Sequence, residues 1–497
     1  MNKIFKLFVN ENIKTLKKTS TKIMLIISIL ALFGGVGLTK LIKYTNNMND
    51  EYWLSSGDYK EELKKEINTT KQEIKTKENS VDKQTLNEMK TTLEYYELAL
   101  ENDVDVIYWS KQDWKTEIIN NINSINYEII SSGNLLNEEK IKEKEDKKQK
   151  YITILKNGDF KAYIEAQKQE EKQKLDNKEI TEKEYNDNIY ILKLKEKYEI
   201  GKTGDKEEEW KQTILGEIQQ LKGDLRTNIN STTNKLLKPQ EIEEYEEALK
   251  IAEYRLQNNM PTIESYSDYR NIYDYMASSF SMVIVAIMVL VIAGGIISTE
   301  ISKGTVKFLT FTPNKRWKIL FAKILSVTVL LIVVTIILAI LSNIIGNIIF
   351  PNEEVQDYLY VKNGEVKTIN HGLYTILYYL ATSIDIFVYM IFAIMLSVIT
   401  RNTAVSVSIS IATYIGSGTI MTLINTFITK DWVKFIPFNN LSVVDKIFPN
   451  AVSYTMNQLA STYTNNVTLV FSLTVLAVCV FLMIVTMFDS FNKRDIN

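Results

Sequence analysis

Long stretches without a charged residue constrain this chain more than anything else in it. A helix needs about 20 residues, at 1.5 Å rise each, to cross a hydrocarbon layer about 30 Å thick. Uncharged runs of that order extend over residues 275–299, 324–352, 402–429 and 467–488, and residues 368–400 are interrupted only by His371 and Asp385. A shorter run of 17 residues lies between Lys22 and Lys40, with Gly34, Gly35 and Gly37 near its end. The 22 mostly polar residues ahead of it are long for the basic region of a signal peptide, so a retained span is expected rather than a cleaved leader. The fold expected is an all-α membrane protein with six transmembrane helices, at residues 23–39, 276–299, 324–350, 373–400, 403–429 and 467–488.

Orientation follows from where Lys and Arg fall near the span ends. With the amino terminus inside, residues 1–22, 300–323, Arg401 and the tail 489–497 carry 15 bases against Glu11, Glu300, Asp489 and Asp495. This predicts cytoplasmic amino and carboxyl termini in a bacterial cell membrane. Residues 2–19 place Ile4, Phe5, Phe8, Ile13 and Leu16 on one broad helical face, the pattern of an interfacial amphipathic helix, although a merely basic inner anchor fits as well.

The same orientation puts residues 41–275 outside. That segment holds 37 Lys and Arg against 49 Asp and Glu, a net of −12, and is rich in helix formers. Leu63, Ile67 and Ile74, then Leu86, Met89, Leu93 and Tyr96, recur at helical spacing and predict coiled packing of long helices. An internal repeat is visible. Gly57-Asp58-Tyr59-Lys60 returns as Gly158-Asp159-Phe160-Lys161, and Trp114-Lys115 with Ile118, Ile119 and Ile122 returns as Trp210-Lys211 with Ile214, Leu215 and Ile218. Two similar helical units are expected, at 57–135 and 158–232. Tyr266, Tyr269, Tyr273 and Tyr275 then form an aromatic belt ahead of the second span. In the loop 351–372, Asn363-Gly364 between Val361 and Val366 marks a two-residue hairpin. Residues 430–466 form an extracellular or re-entrant segment.

Several chemistries are excluded. One cysteine, Cys479, and one histidine, His371, leave no disulfide framework, no Cys/His zinc site and no Cys-His or Ser-His-Asp relay. Gly201-Lys202-Thr203 invites comparison with a phosphate-binding loop, but Glu196 stands where that loop needs glycine. No catalytic residue, metal or directly bound cofactor is expected.

The segment from Ser298 to Leu325, between the second and third spans, is the most informative. Gly304 permits a sharp bend, Thr305 can cap a short helix, and Thr312 can cap the next one with Pro313 at its first position, where a missing N–H costs nothing. A short helix across the membrane face would leave Phe308, Leu309 and Phe311 available to a partner. Here the chain resembles the permeases of the type-2 class of ATP-binding cassette (ABC) exporters, including subunits that act on bacitracin-like and lantibiotic peptides. Glu300, Gly304, Thr305, Pro313, Arg316 and Lys323 carry the resemblance, which extends to the amphipathic start and the order of spans. The large insertion after the first span departs from the minimal family pattern.

The resemblance implies that residues 305–311 are a coupling helix docked on a cytoplasmic ABC ATPase dimer, which binds ATP and Mg. It further implies a second permease, identical or homologous, and a hydrophobic or amphiphilic peptide or lipid-like substrate, with antimicrobial peptide resistance the leading expectation. No nucleic-acid partner is expected. Glu300 would bond to N–H groups of the coupling helix or pair with Arg316. Asp385, near the middle of the fourth span, would face the bundle interior as an intramembrane polar group. The alternative is a non-transporting polytopic protein whose helical outer domain is a scaffold or receptor, of phage-infection or secretion-accessory type.

Overall fold

The computed structural model describes residues 3–54, 58–109, 113–132, 138–205, 208–261, 269–304, 315–351, 355–428, 430–448 and 467–493. The chain divides into two compact units. One comprises Met1–Lys43, Ile263–Tyr360 and Lys367–Asn497, the other Tyr44–Thr262 with Val361–Val366.

Among the described residues six helices are long and apolar enough to cross a bilayer, and their apolar stretches fall in the first unit. They are Thr19–Leu54, Tyr269–Gly295, Arg316–Ile349, His371–Thr400, Thr403–Phe427 and Leu469–Lys493. The first helix runs well past the uncharged 17 residues at both ends. Helical hydrogen bonding does not stop at the edge of an apolar run, and only the stretch 19–45 has the composition of a span. An amphipathic helix, Lys3–Lys17, precedes it.

Packing within this unit follows residue size. Val285, Ala286, Val289 and Ala293 of the second span, Leu331, Leu338 and Ala339 of the third, and Met390, Ile391, Ala393 and Ile394 of the fourth interlock in one buried core. The fifth and sixth spans leave large apolar side chains outward, among them Ile415, Phe427, Val470 and Phe481. Hydrocarbon tolerates such faces, because a helix satisfies its own backbone polar groups. The fourth and fifth spans are joined by a two-residue turn, in which Arg401 takes a left-handed conformation and the Asn402 side chain accepts the N–H groups of Ala404 and Val405. Among the described residues between the fifth and sixth spans are two 3-10 turns and a short helix, Val443–Ile447.

In the second unit the repeated motifs fall at helix starts. Asp58 accepts the N–H of Lys60 at 3.0 Å and caps helix Tyr59–Lys77. Asp159 accepts the N–H of Ala162 at 3.0 Å and caps helix Phe160–Asp176. Trp114 opens helix Trp114–Ser132, and Trp210 lies in the first turn of helix Glu209–Thr227. Each copy is thus a run of three helices, the middle ones being Lys83–Glu101 and Glu182–Lys197. Helix Glu138–Asn157 lies between the copies in sequence, and helix Pro239–Asn258 follows the second. Trp114 packs against Phe160 and Tyr163 at ring distances of 5.9 and 5.8 Å, so the first copy's anchor is buried on the second copy's first helix. Strands Tyr358–Lys362 and Glu365–Ile369 form an antiparallel hairpin around Asn363 and Gly364, both at positive φ.

Candidate functional site

The second span does not end cleanly. Its helix stops at Gly295 and resumes as the single turn Ser298–Ser302. A break of this kind frees backbone N–H groups, and in hydrocarbon they need partners. The N–H groups of Ile297 and Ser298 donate to Ser397 Oγ of the fourth span at 3.3 and 3.0 Å. Ser298 Oγ lies 2.9 Å from Thr403 Oγ1, and Ser406 Oγ donates to the carbonyl of Gly294 at 2.6 Å. Hydroxyls of the fourth and fifth spans therefore hold the break in place.

Gly304 ends the turn at φ +67°, a conformation that a residue with a side chain adopts only at a cost. Residues 305–314 follow, so Thr305, Phe308, Leu309, Phe311, Thr312 and Pro313 lie outside the described residues. The chain resumes at Lys315, and Arg316 is the first residue of the third span's helix.

Glu300 sits in a buried ionic cluster built from three elements. Lys323, about two turns into the third span's helix, is 1 % exposed at its side chain, and its ammonium lies 3.0 Å from Glu300 Oε1 and 2.9 Å from Glu11 Oε2. Lys14 pairs with Glu300 as well and is 3.8 Å from Glu11. An ammonium so fully enclosed persists only when compensated, and here two carboxylates do so. Burial by itself would raise the Glu300 carboxyl, but Lys323 and Lys14 outweigh it and hold the group below the ordinary glutamate value. Burial would likewise lower Lys14, yet its bond to Glu300 leaves it raised. The amino-terminal helix is thereby fastened to the turn that precedes residues 305–314 and to the helix that follows them. The sequence held two signals for this cluster, since Glu11 is the single acid among residues 1–22 and Lys323 interrupts an apolar run. Nothing local joins them across 312 residues.

A second polar cluster ties the opposite ends of the central spans. Arg270, wholly buried, donates from Nε to Asp274 at 3.1 Å and from Nη1 to Asn347 of the third span at 2.7 Å. The imidazole of His371, which opens the fourth span, lies with Nε2 3.0 Å from Asp274, and its backbone N–H donates to Asp357 at 3.1 Å. The guanidinium lies against Gly346, where a Cβ would come 2.2 Å from Arg270 Cζ.

Asp385 is half-buried on the fourth span and accepts the N–H of Ser442 at 2.9 Å and, more weakly, that of Val443 at 3.5 Å. Lys446, from the same short helix, donates to the carbonyls of Asn440 and Leu441 at 3.3 and 3.1 Å and to Ser472 Oγ of the sixth span at 2.9 Å. The carboxylate thus pins the start of helix Val443–Ile447 to the middle of the fourth span, so the segment between the fifth and sixth spans folds back into the bundle. Sequence reasoning located Asp385 but could not supply backbone partners 57 residues away.

A family model for a protein of unknown function, DUF2705, matches residues 246–497, just over half of the chain. The chain belongs to this family. The matched part covers the second to sixth spans, and with them Glu300, Lys323, Arg270, His371 and Asp385 of the clusters above. Two similar proteins come from Bacillus subtilis (strain 168). The uncharacterized protein YhcI is 26 % identical over 297 residues, 59 % of this chain and 86 % of YhcI. The uncharacterized membrane protein YdbK is 27 % identical over 172 residues, 34 % of this chain and 65 % of YdbK, so the match spans just under two thirds of that relative. No solved structure matches. Six candidate spans and a membrane-protein relative agree that this DUF2705 member is a multi-pass membrane protein.

Proposed function

We propose that this chain is the permease subunit of an ABC exporter, driven by ATP hydrolysis in a separate cytoplasmic ATPase dimer and paired with a second, identical or homologous permease. The observation that carries the proposal is how firmly the described residues on either side of the 305–314 segment are held. Before it, Glu300 is clamped by Lys14 and Lys323 on a turn bonded to the fourth and fifth spans; after it, Lys323 anchors the third span to the amino-terminal helix. A segment that transmits force needs stiff attachments at both ends, because slack there would absorb the displacement. Ordinary inner loops have no use for a buried ammonium shared by two carboxylates, whose desolvation costs several kcal/mol per ion. Phe308, Leu309 and Phe311 supply apolar surface for a groove in the ATPase, with Gly304, Thr305 and Arg316 shaping the turn.

In this scheme ATP and Mg bind the partner, both termini are cytoplasmic, and the helical unit 44–262 lies outside the cell. The substrate class is a hydrophobic or amphiphilic peptide, with an antimicrobial peptide foremost. The size and separate cores of the inserted unit favour a second reading, a non-transporting scaffold or receptor. Affinity purification of the full chain from a host expressing a stand-alone ABC ATPase encoded beside it separates the two. A stoichiometric ATPase supports the permease, and recovery of the chain without any ATPase supports the scaffold.

A further inference from the structure

The amino-terminal helix reaches the ionic cluster through two of its charged residues and leaves several apolar ones facing outward. Glu11 and Lys14 meet Glu300 and Lys323, and Thr15 is buried, whereas Phe5, Ile13 and Leu16 are exposed. Only Lys18 separates this helix from the first span. Its N–H reaches the carbonyl of Thr15 at 3.3 Å and its own carbonyl takes the N–H of Lys22 at 3.2 Å, so the chain turns there without unwinding. Immediately beyond, the span exposes Ile23, Ile26 and Leu30. A helix with outward Phe, Ile and Leu, joined at one residue to a segment entering the bilayer, sits at headgroup depth.

Charge at this joint does not balance. Lys14, Lys18 and Lys323 bear on one another, with the carboxylates of Glu11 and Glu300 as counter-charges, three cations against two anions. Among the described residues Lys18 has no carboxylate within ion-pairing distance, and it is only partly covered, with Lys17 and Lys22 exposed beside it. Partial burial and then the neighbouring Lys14 and Lys323 ammoniums hold Lys18 below the ordinary lysine value. An external anion would relieve that strain.

We infer that the joint centred on Lys18 binds the phosphate of an anionic phospholipid headgroup, with Phe5, Ile13 and Leu16 seated among the adjoining acyl chains. The apolar residues beside the lysines distinguish a lipid from free phosphate, because they offer the second half of an amphiphile a place. The inference does not depend on the exporter proposal, only on the chain crossing a bilayer.

The full chain in nanodiscs of phosphatidylcholine, with and without phosphatidylglycerol, provides the test, read by native mass spectrometry of retained lipid and by unfolding temperature. Wild type should retain phosphatidylglycerol selectively and unfold at higher temperature in its presence. Lys18→Gln should retain it about fivefold less well, the effect expected for one lysine near an anionic surface, Lys18→Arg should behave as wild type, and Lys430→Gln, outside the cluster, should change nothing. Equal retention by Lys18→Gln and wild type, or equal loss in Lys430→Gln, would overturn the inference. So would full protection of phosphatidylcholine discs by inorganic phosphate. Should Lys18→Gln fail to insert, rising salt on the wild type decides, since a selectivity that survives high salt undiminished is not electrostatic.

Discussion

Lys323 and Glu11, 312 residues apart in sequence, lie 2.9 Å apart, and this contact fastens the amino-terminal helix to the third span. Because Lys323 is also held by Glu300, removing the ammonium leaves both carboxylates to the half-exposed Lys14, whereas removing Glu300 leaves Lys323 with Glu11. Breaking a buried pair costs about 3–5 kcal/mol. Lys323→Met should therefore lower the unfolding temperature in detergent more than Glu300→Gln, and the double variant Lys323→Met/Glu300→Gln should recover part of the loss. A double variant less stable than Lys323→Met alone would show that the carboxylates are held by something else.

The same cluster predicts an acid limb. Glu300 is depressed in the folded chain, so its contribution is fully present above the unfolded glutamate value of about 4.3 and is lost as pH falls through its lower folded value. Unfolding temperature measured from neutral to acid pH should drop for wild type in that lower window. Glu300→Gln should start lower and fall less, because it has no such contribution to lose.

Gly346 lies under the Arg270 guanidinium, and a methyl there would sit 2.2 Å from Arg270 Cζ. Gly346→Ala should cost about 1–3 kcal/mol as overpacking. Arg270 would have to leave Asn347 to make room. Thermal unfolding of Gly346→Ala, Asn347→Ala and the double variant should show the two losses to be less than additive, since both disturb one bond.

Asp385 secures the turn at Ser442, itself at φ +59°. Asp385→Ala leaves the N–H groups of Ser442 and Val443 without their acceptor, at about 1–3 kcal/mol. Hydrogen exchange at residues 442–447 should accelerate in this variant and less so in Asp385→Asn, whose carbonyl can still accept one N–H. Unchanged exchange would mean that the turn is held without the carboxylate.

How much of this was legible in the sequence depends on the range of the interaction. A bilayer sets a minimum apolar length, so the six spans stand out wherever charge disappears for that distance. The repeat was visible because its motifs are helix starts, and a capping Asp58 or Asp159 needs only the next few residues. Arg270 and Asp274, four residues apart on one helix, were also within local reach, yet their bonds to Asn347 and His371 were not. Glu300 was marked by its place before Gly304, but its partners come from residue 14 and residue 323. Polar contacts between spans are fixed by which faces pack together, and hydropathy alone does not encode that.

The exporter proposal stands or falls on one assay: ATP hydrolysis by the full chain co-purified with its neighbouring ATPase, reconstituted with and without a cationic amphiphilic peptide. Wild type should hold the ATPase and respond to peptide. Phe308→Ala/Phe311→Ala should remain in the membrane but lose the ATPase, since an aromatic anchor at a buried interface carries about 2 kcal/mol or more, roughly thirtyfold in binding. Glu300→Ala should keep the ATPase and lose the response. A Phe308→Ala/Phe311→Ala variant that retains the ATPase and responds to peptide as wild type does would contradict the assignment of residues 305–314 as the coupling element.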